Sequence, residues 1–368
     1  MKKVGILTFH RAHNYGASLQ VYALYEVLKN IYEVKIIDYY NNYIYDQYKL
    51  FSMPSKNILK FIKKTIFTVI HFKSKKARYD SFEKFISENI NMTKRYTNET
   101  IHNIDIENFS AIIAGSDQIW SIGTVGELSD IYTLAFLPNS INKISYAASV
   151  GNSEDIINYA KDYKNKLSDI KHISVREEDA KEKLSSLLGR DVFEALDPTM
   201  LLGKEVWEER ISDLGEEGEK YILAYVVEPN DEYIKIVNEL SYRTGLKVLH
   251  FGLKNPGYNN VYKSKYYEGP LAFVNYIKNA EYIITTSFHG TVFSIIFNKK
   301  FWVVPHKKTG ERVTSLLTKL GIPNRAIKSF DEFCSNNHDE SINYKEVNRK
   351  LNQERKKSIE WLFSSIEK

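Results

Sequence analysis

The stretch Tyr282-Ile283-Ile284-Thr285-Thr286-Ser287-Phe288-His289-Gly290-Thr291 reads as a strand, a polar turn and the start of a helix. Tyr282–Thr285 is short and aromatic or β-branched, the composition of a strand buried on both faces of a parallel sheet. Thr291–Phe297 then runs on as an apolar helix. Unpaired backbone N–H groups and the helix dipole make a turn of this kind a natural anion site.

Outward from this stretch the same alternation repeats. Brief apolar runs predict strands at Val4–Phe9, Val34–Asp38, Ala111–Ala114, Ile144–Ala147, Ile173–Val175, Tyr221–Val227, Lys247–His250 and Phe301–Val304. Helical patterns fall between them at Ala17–Leu28, Glu154–Lys166, Glu177–Leu188, Glu232–Arg243 and Leu271–Lys278. Strands alternating with helices make βαβ units, and right-handed crossovers turn these into doubly wound α/β layers. A length of 368 residues suits two domains. Gly203, Gly215 and Gly218, set among acidic residues in Leu202–Glu219, mark the boundary. The expected division is an N-terminal domain over 1–205, a C-terminal domain over 206–340 and a last helix over 341–368. In that helix Val347, Leu351, Ile359, Leu362, Phe363 and Ile366 recur at helical spacing, so one stripe has to pack on a partner, such as the N-terminal domain.

Composition narrows the function. The chain is 43% hydrophobic and 26% charged, which excludes wholesale disorder. Its formal charge of +5 is too small for the strongly basic face that nucleic acid requires, so no nucleic-acid partner is expected. A lone cysteine, Cys334, forms no internal disulfide, and no Cys/His cluster has zinc spacing, so no metal is expected. Lys2 and Lys3 precede an apolar run that stops at His10-Arg11 with no cleavage site, and no stretch is apolar for long enough to span a bilayer. The expected location is cytoplasmic.

Residues Lys56–Arg78 stand apart: eight Lys/Arg, no acidic residue, and Leu59, Ile62, Ile66, Val69 and Ile70 at three- and four-residue spacing. The ordinary reading is a helix that packs its apolar stripe on its own domain. The other is a helix lying peripherally in the headgroups of an anionic membrane.

Ligands of open α/β sheets bind beyond the carboxyl ends of strands, and four such loops carry polar residues. In the first, Ser287 and Thr291 offer hydroxyls, Gly290 a close backbone approach and His289 a proton donor or acceptor near neutral pH. A Ser/Thr helix cap with an incidental histidine accounts for the same residues. The second is His10-Arg11-Ala12-His13-Asn14-Tyr15-Gly16, with Asn14 and Gly16 at the turn; it lacks G-x-G-x-x-G, and a plain capping turn explains it equally. The third, Gly115-Ser116-Asp117-Gln118-Ile119-Trp120, offers Asp117, Gln118 and Trp120 to a sugar, or an Asp cap with Trp120 in the core. The fourth places Arg176 at a strand end, where it can fork a carboxylate or phosphate or find an acidic partner elsewhere in the fold. Arg312, Arg325 and His306-Lys307-Lys308 add positive charge of lesser interest.

Taken in order, these segments resemble the polysaccharide pyruvyl transferases. The matching blocks are Asn14-Tyr15-Gly16-Ala17-Ser18-Leu19-Gln20, Gly115-Ser116-Asp117-Gln118-Ile119-Trp120, Lys143-Ile144-Ser145-Tyr146-Ala147-Ala148-Ser149, Ile173-Ser174-Val175-Arg176-Glu177, Asp197-Pro198-Thr199 and Ser287-Phe288-His289-Gly290-Thr291. Lys300 stands where relatives often have proline, and the tail beyond about residue 330 matches nothing. The resemblance implies a GT-B-like fold, two Rossmann-like domains facing a cleft. It also implies transfer of the enolpyruvyl group of phosphoenolpyruvate onto two hydroxyls of a sugar in a bacterial capsule or exopolysaccharide precursor, with no cofactor beyond that co-substrate. By resemblance His289 and Arg176 are the catalytic pair. Ser287, Phe288, Gly290 and Thr291 would then hold the donor, and Asn14, Tyr15, Gly16, Asp117 and Gln118 would face a sugar or lipid-linked oligosaccharide acceptor. A lipid-linked acceptor would give Lys56–Arg78 a purpose at the membrane surface. Two other readings stay open: a GT-B glycosyltransferase with a nucleotide-sugar donor, for which Glu268 is a ribose-binding candidate, and a non-catalytic carbohydrate- or anion-binding module.

Overall fold

The computed structural model describes residues 1–51, 58–215, 218–227, 230–305, 310–335 and 341–368. His306, Lys307 and Lys308, together with Lys56, Asn57, Glu216 and Glu217 of stretches named above, lie outside the described residues. The chain divides into two compact units, Met1–Leu202 with Gln353–Lys368, and Gly203–Asn352.

The first unit holds strands β1 Lys3–Leu7, β2 Glu33–Ile36, β3 Ala111–Ala114, β4 Asn142–Ala148, β5 His172–Val175 and β6 Phe193–Glu194. They form one parallel sheet in the order β2-β1-β3-β4-β5-β6. Every residue of β3 is buried, and β1 is buried from Val4 to Leu7, as strands covered on both faces must be. The second unit holds β7 Tyr221–Tyr225, β8 Lys247–His250, β9 Val261–Ser264, β10 Tyr282–Thr285 and β11 Lys300–Val303, parallel in the order β11-β10-β7-β8-β9. Each unit has its own core, around Leu7, Ile112, Trp120 and Tyr163 in the first and Ile222, Tyr233, Ile284 and Trp302 in the second.

Two helices depart from the periodicity. The pattern Glu154–Lys166 is two helices, Glu154–Asn158 and Ala160–Leu167, interrupted where Tyr159 leaves helical geometry at φ −122° and ψ 34°. The basic stretch is also two helices, Ile58–Ile70 and Phe72–Asn89, parted at His71. Its apolar stripe faces outward, against the ordinary expectation: Leu59 is 73% exposed and Ile70 is 70% exposed.

The last helix, Tyr344–Glu367, belongs to both units, so residues 341–352 group with the second rather than with the tail. Tyr344 donates its hydroxyl to the Lys299 carbonyl, and Val347 and Leu351 are buried. From Gln353 onward the partners lie in the first unit. Ser358 Oγ accepts from Leu196 N at 3.0 Å, Arg355 Nε donates to Met200 O at 2.7 Å, and Trp361 stacks on Phe193 at 5.2 Å.

Candidate active site

Because every strand of the first sheet runs the same way, the loops after β1, β2, β3, β5 and β6 gather along its carboxyl edge. Arg176 follows β5 directly, and its side chain is only 3% exposed. A guanidinium so removed from water needs a counter-charge. Asp197, at the end of the loop after β6, supplies it at 3.1 Å from Nη2, and the same nitrogen donates to Ser116 Oγ beyond β3. Asp197 also caps the short helix Pro198–Leu201, accepting from Thr199 N at 2.9 Å and from Thr199 Oγ1 at 2.5 Å. Ser116 O accepts from Thr8 Oγ1 at 2.7 Å, and Thr8 Oγ1 accepts from Gln20 Nε2 at 3.1 Å. The ends of β1, β3, β5 and β6 are thus tied through one buried polar chain. Asp197 and Ser116 stood inside quoted motifs without a role; the missing signal was that a strand-end arginine this deep must have a carboxylate partner.

Asp117, next to Ser116, sits at φ +81°, a left-handed conformation that Asp tolerates better than most residues. Its carboxylate accepts from Gln118 N at 2.8 Å and its carbonyl from Ser149 N at 2.9 Å. Ser149 in turn donates Oγ to Glu177, beside Arg176. Gln118 accepts from Thr124 Oγ1 at 2.7 Å. Asp117 and Gln118 are half-buried, whereas Trp120 is fully buried with Nε1 donating to Tyr132 O at 3.0 Å, so Trp120 is core and not a sugar platform.

The loop after β1 does two things. Asn14 caps the helix Tyr15–Leu28, its Oδ1 accepting from Gly16 N at 2.9 Å and Ala17 N at 3.3 Å. Tyr15 is buried and its hydroxyl accepts from Arg78 Nη1 at 2.6 Å; Gly16 is buried within the helix start. The preceding residues join a charge cluster that the sequence reading did not contain. Asp38, just past β2, accepts from His10 Nε2 at 3.0 Å and from Arg11 at 2.6 and 2.7 Å. Burial would raise the Asp38 pKa, but the Arg11 and His10 hydrogen bonds and charges outweigh it and hold the carboxyl well below the usual range. Glu83 meets His13 at 3.0 Å and Arg11 at 3.1 Å, and the His13 bond lowers its pKa in the same sense. A cavity of about 280 Å³ opens on this cluster, lined by Arg11, His13, Glu83 and Arg95 among others. A second of about 780 Å³, lined by Asn41, Tyr43, His102 and Glu127 among others, touches none of the predicted site residues.

In the second unit the loop after β10 leads into the helix Phe288–Ile296. Ser287 is its N-cap, accepting from Gly290 N at 3.4 Å, and Thr291 Oγ1 donates back to Ser287 O at 3.0 Å. Thr285 Oγ1 donates to Tyr225 O at 2.7 Å and accepts from Ser287 N at 3.0 Å, fixing the turn to β7. No acidic residue lies in the helix's first turn. His289 is buried on that turn, with Phe288 edge-on at 5.3 Å and Arg312 over the Phe288 ring at 5.7 Å. Gly290 has a packing reason: a Cβ there would collide with Thr285 Oγ1 and stand 3.2 Å from the Tyr225 ring. Glu268 accepts from Tyr276 OH at 3.3 Å and lies 3.6 Å from Lys265 Nζ. The structure therefore gathers Asn14, Asp117, Gln118 and Arg176 on the edge of one sheet, and Ser287, Phe288, His289, Gly290 and Thr291 on one loop of the other unit. Among the described residues no group of three or more His, Cys, Asp or Glu is placed to hold a metal ion, and no helix is long and apolar enough to cross a membrane.

Two parallel Rossmann-like units in one chain define a GT-B-like α/β fold. UDP-GlcNAc 2-epimerase from Neisseria meningitidis, solved bound to UDP-GlcNAc, superposes with a TM-score of 0.52 at 13% identity, over 99% of this chain and 100% of that one. The S. aureus MnaA–UDP co-structure gives 0.50 at 13% identity, over 90% and 86%. At such identities the likeness is one of fold alone. No curated protein sequence matches the chain. The family is nevertheless plain: the model of the polysaccharide pyruvyl transferases matches residues 14–308, and this chain belongs to that family and is a transferase.

Proposed function

We propose that the chain moves the enolpyruvyl group of phosphoenolpyruvate onto two hydroxyls of one sugar in a bacterial cell-surface polysaccharide precursor, leaving a pyruvate ketal and phosphate. A proton adds to the methylene carbon, a sugar hydroxyl attacks the neighbouring carbon, the bond to phosphate breaks, and the second hydroxyl closes the ketal. One hydroxyl proton balances the methyl group and the other leaves with phosphate. What carries the reading, beside family membership, is a buried histidine on the first turn of a helix whose N-terminal loop offers hydroxyls and backbone N–H groups and no carboxylate. A donor with up to three negative charges is stabilised by such a turn. His289 then protonates the donor or assists phosphate departure, help worth roughly 10²–10⁴-fold. Arg176 faces the developing anionic charge, and Asp197 fixes the orientation of its fork. Asn14, Asp117 and Gln118 meet the acceptor.

The test is calorimetry of phosphoenolpyruvate against a panel of nucleotide sugars, followed by phosphate release with candidate acceptors. Phosphoenolpyruvate should bind, and His289→Ala should lose turnover by about a hundredfold or more while keeping most of that affinity. Binding of a nucleotide sugar alone would leave the fold intact and replace the donor. Sugar binding with no turnover in the unmodified protein would favour a binding module.

A further inference from the structure

An amphipathic helix in a globular protein turns its apolar stripe inward. The helix Ile58–Ile70 does the reverse. Leu59, Ile62, Ile66, Val69 and Ile70 are between 46% and 73% exposed, while Thr68 is 1% exposed and Thr65 and Phe61 are half-buried. At 3.6 residues per turn the five aliphatics fall on one face, Thr68 on the other, and Thr65 at the border between them. Phe72, at the start of the next helix, extends the patch at 37% exposure and stacks on half-exposed Phe51 at 6.0 Å. Scattered exposed apolar side chains are normal, but a contiguous face of branched aliphatics marks something that covers it. Among the described residues nothing does.

The charge around the patch identifies the cover. Lys63 is exposed at the edge of the patch and Lys73 is exposed at the start of the next helix, Lys76 is paired with Asp80 at 2.5 Å, and Lys56–Arg78 itself contains no acidic residue. Lys75 turns inward instead, donating Nζ to Thr68 Oγ1 at 2.8 Å, and burial, with the neighbouring Lys64, pushes its ammonium pKa down. A second copy docking face to face would set these lysines against themselves, because an isologous contact repeats the same surface on both sides. A surface that is apolar below and anionic above satisfies both features.

We propose that the helix Ile58–Ile70 lies in the headgroup layer of an anionic lipid bilayer. Leu59, Ile62, Ile66, Val69 and Ile70 sit toward the acyl chains, and Lys63 and Lys73 sit against lipid phosphates. This holds the enzyme at a membrane surface without crossing it, and it does not depend on the identity of donor or acceptor.

Flotation of the full chain with vesicles tests it, using phosphatidylcholine alone and phosphatidylcholine with one-third phosphatidylglycerol, at physiological and at high salt. The protein should float with the anionic vesicles only, and less at high salt. Ile66→Glu, at a position already exposed, should weaken binding by roughly tenfold or more, and Lys63→Glu with Lys73→Glu by at least about fivefold per site. Circular dichroism verifies that each variant keeps its fold. Failure of the unmodified chain to float with anionic vesicles overturns the proposal. So does a dimer by analytical ultracentrifugation that Ile66→Glu abolishes with no lipid binding, since the face is then a contact between copies. Because no substrate is used, neither result bears on pyruvyl transfer.

Discussion

The two units are built alike and finish their strands differently. At the carboxyl edge of the first sheet, charges are paired off: Arg176 with Asp197, Arg11 and His10 with Asp38, Arg11 and His13 with Glu83. At the same edge of the second, the loop after β10 is tied by hydroxyls and backbone groups, and the first turn of its helix has no acidic residue. Paired charges lock loops in place and hold both Arg176 and the loops that carry Asn14, Asp117 and Gln118 in fixed positions. A helix start without a carboxylate keeps its positive field for an anion. In the proposed reading, the first edge is rigid and holds Arg176 and the acceptor residues, and the second offers a helix start to phosphoenolpyruvate.

The sharpest way to break this comparison is Arg176→Ala. The pair is 3% and 0% exposed, and removing the arginine leaves Asp197 charged and dry. Denaturant unfolding should report a loss of about 3–5 kcal/mol. Arg176→Lys, which keeps charge without the fork, should recover part of it. A loss below about 1 kcal/mol, the range of exposed pairs, would mean that water reaches the pair and that the first edge is not locked.

Acid probes the same lock at Asp38. Its folded pKa is lowered, so the charged form is favoured by folding. That stability is fully present above the ordinary carboxylate range and is lost as pH falls through the folded value. Melting temperature should therefore drop between about pH 5 and pH 2, and in Asp38→Asn, already destabilised, it should drop less steeply. Equal slopes in the two proteins would show that Asp38 does not hold the loop. Glu83, lowered by His13, adds to the slope in both.

The sequence displayed the central strands because they are buried on two faces and must be apolar throughout. It showed one edge strand of each sheet, β2 and β11, and hid the other. β9, Val261-Tyr262-Lys263-Ser264, is mostly exposed at the end of its sheet, and β6 is the two half-buried residues Phe193–Glu194, so neither carries an apolar run. Candidate residues could be picked where a loop follows a strand, as with Arg176, Asp117 and the Ser287–Thr291 turn. Their partners could not, because Asp197 reaches Arg176, and Asp38 reaches Arg11, only through the fold. The same limit governed the basic helix: periodicity of 3.6 shows that an apolar face exists at Leu59–Ile70 and says nothing of which way it points.

The smallest effect is expected in the second unit, and it separates cap from ligand. Ser287→Ala removes an N-cap hydroxyl whose bond to Gly290 N, at 3.4 Å, is long, so its stability cost belongs at or below the usual ~1 kcal/mol. If the hydroxyl does nothing more, phosphoenolpyruvate affinity should barely move, because the backbone N–H groups at the helix start survive the change. If it also meets the donor, affinity falls by about tenfold, the worth of one hydrogen bond to a charged group, while the melting temperature shifts little. Ser287→Thr, which keeps an oxygen at the cap, should restore both quantities in either case. A protein that melts much earlier but binds as before would place the role of Ser287 in holding the helix alone, and would leave the anion to the bare N-terminus and His289.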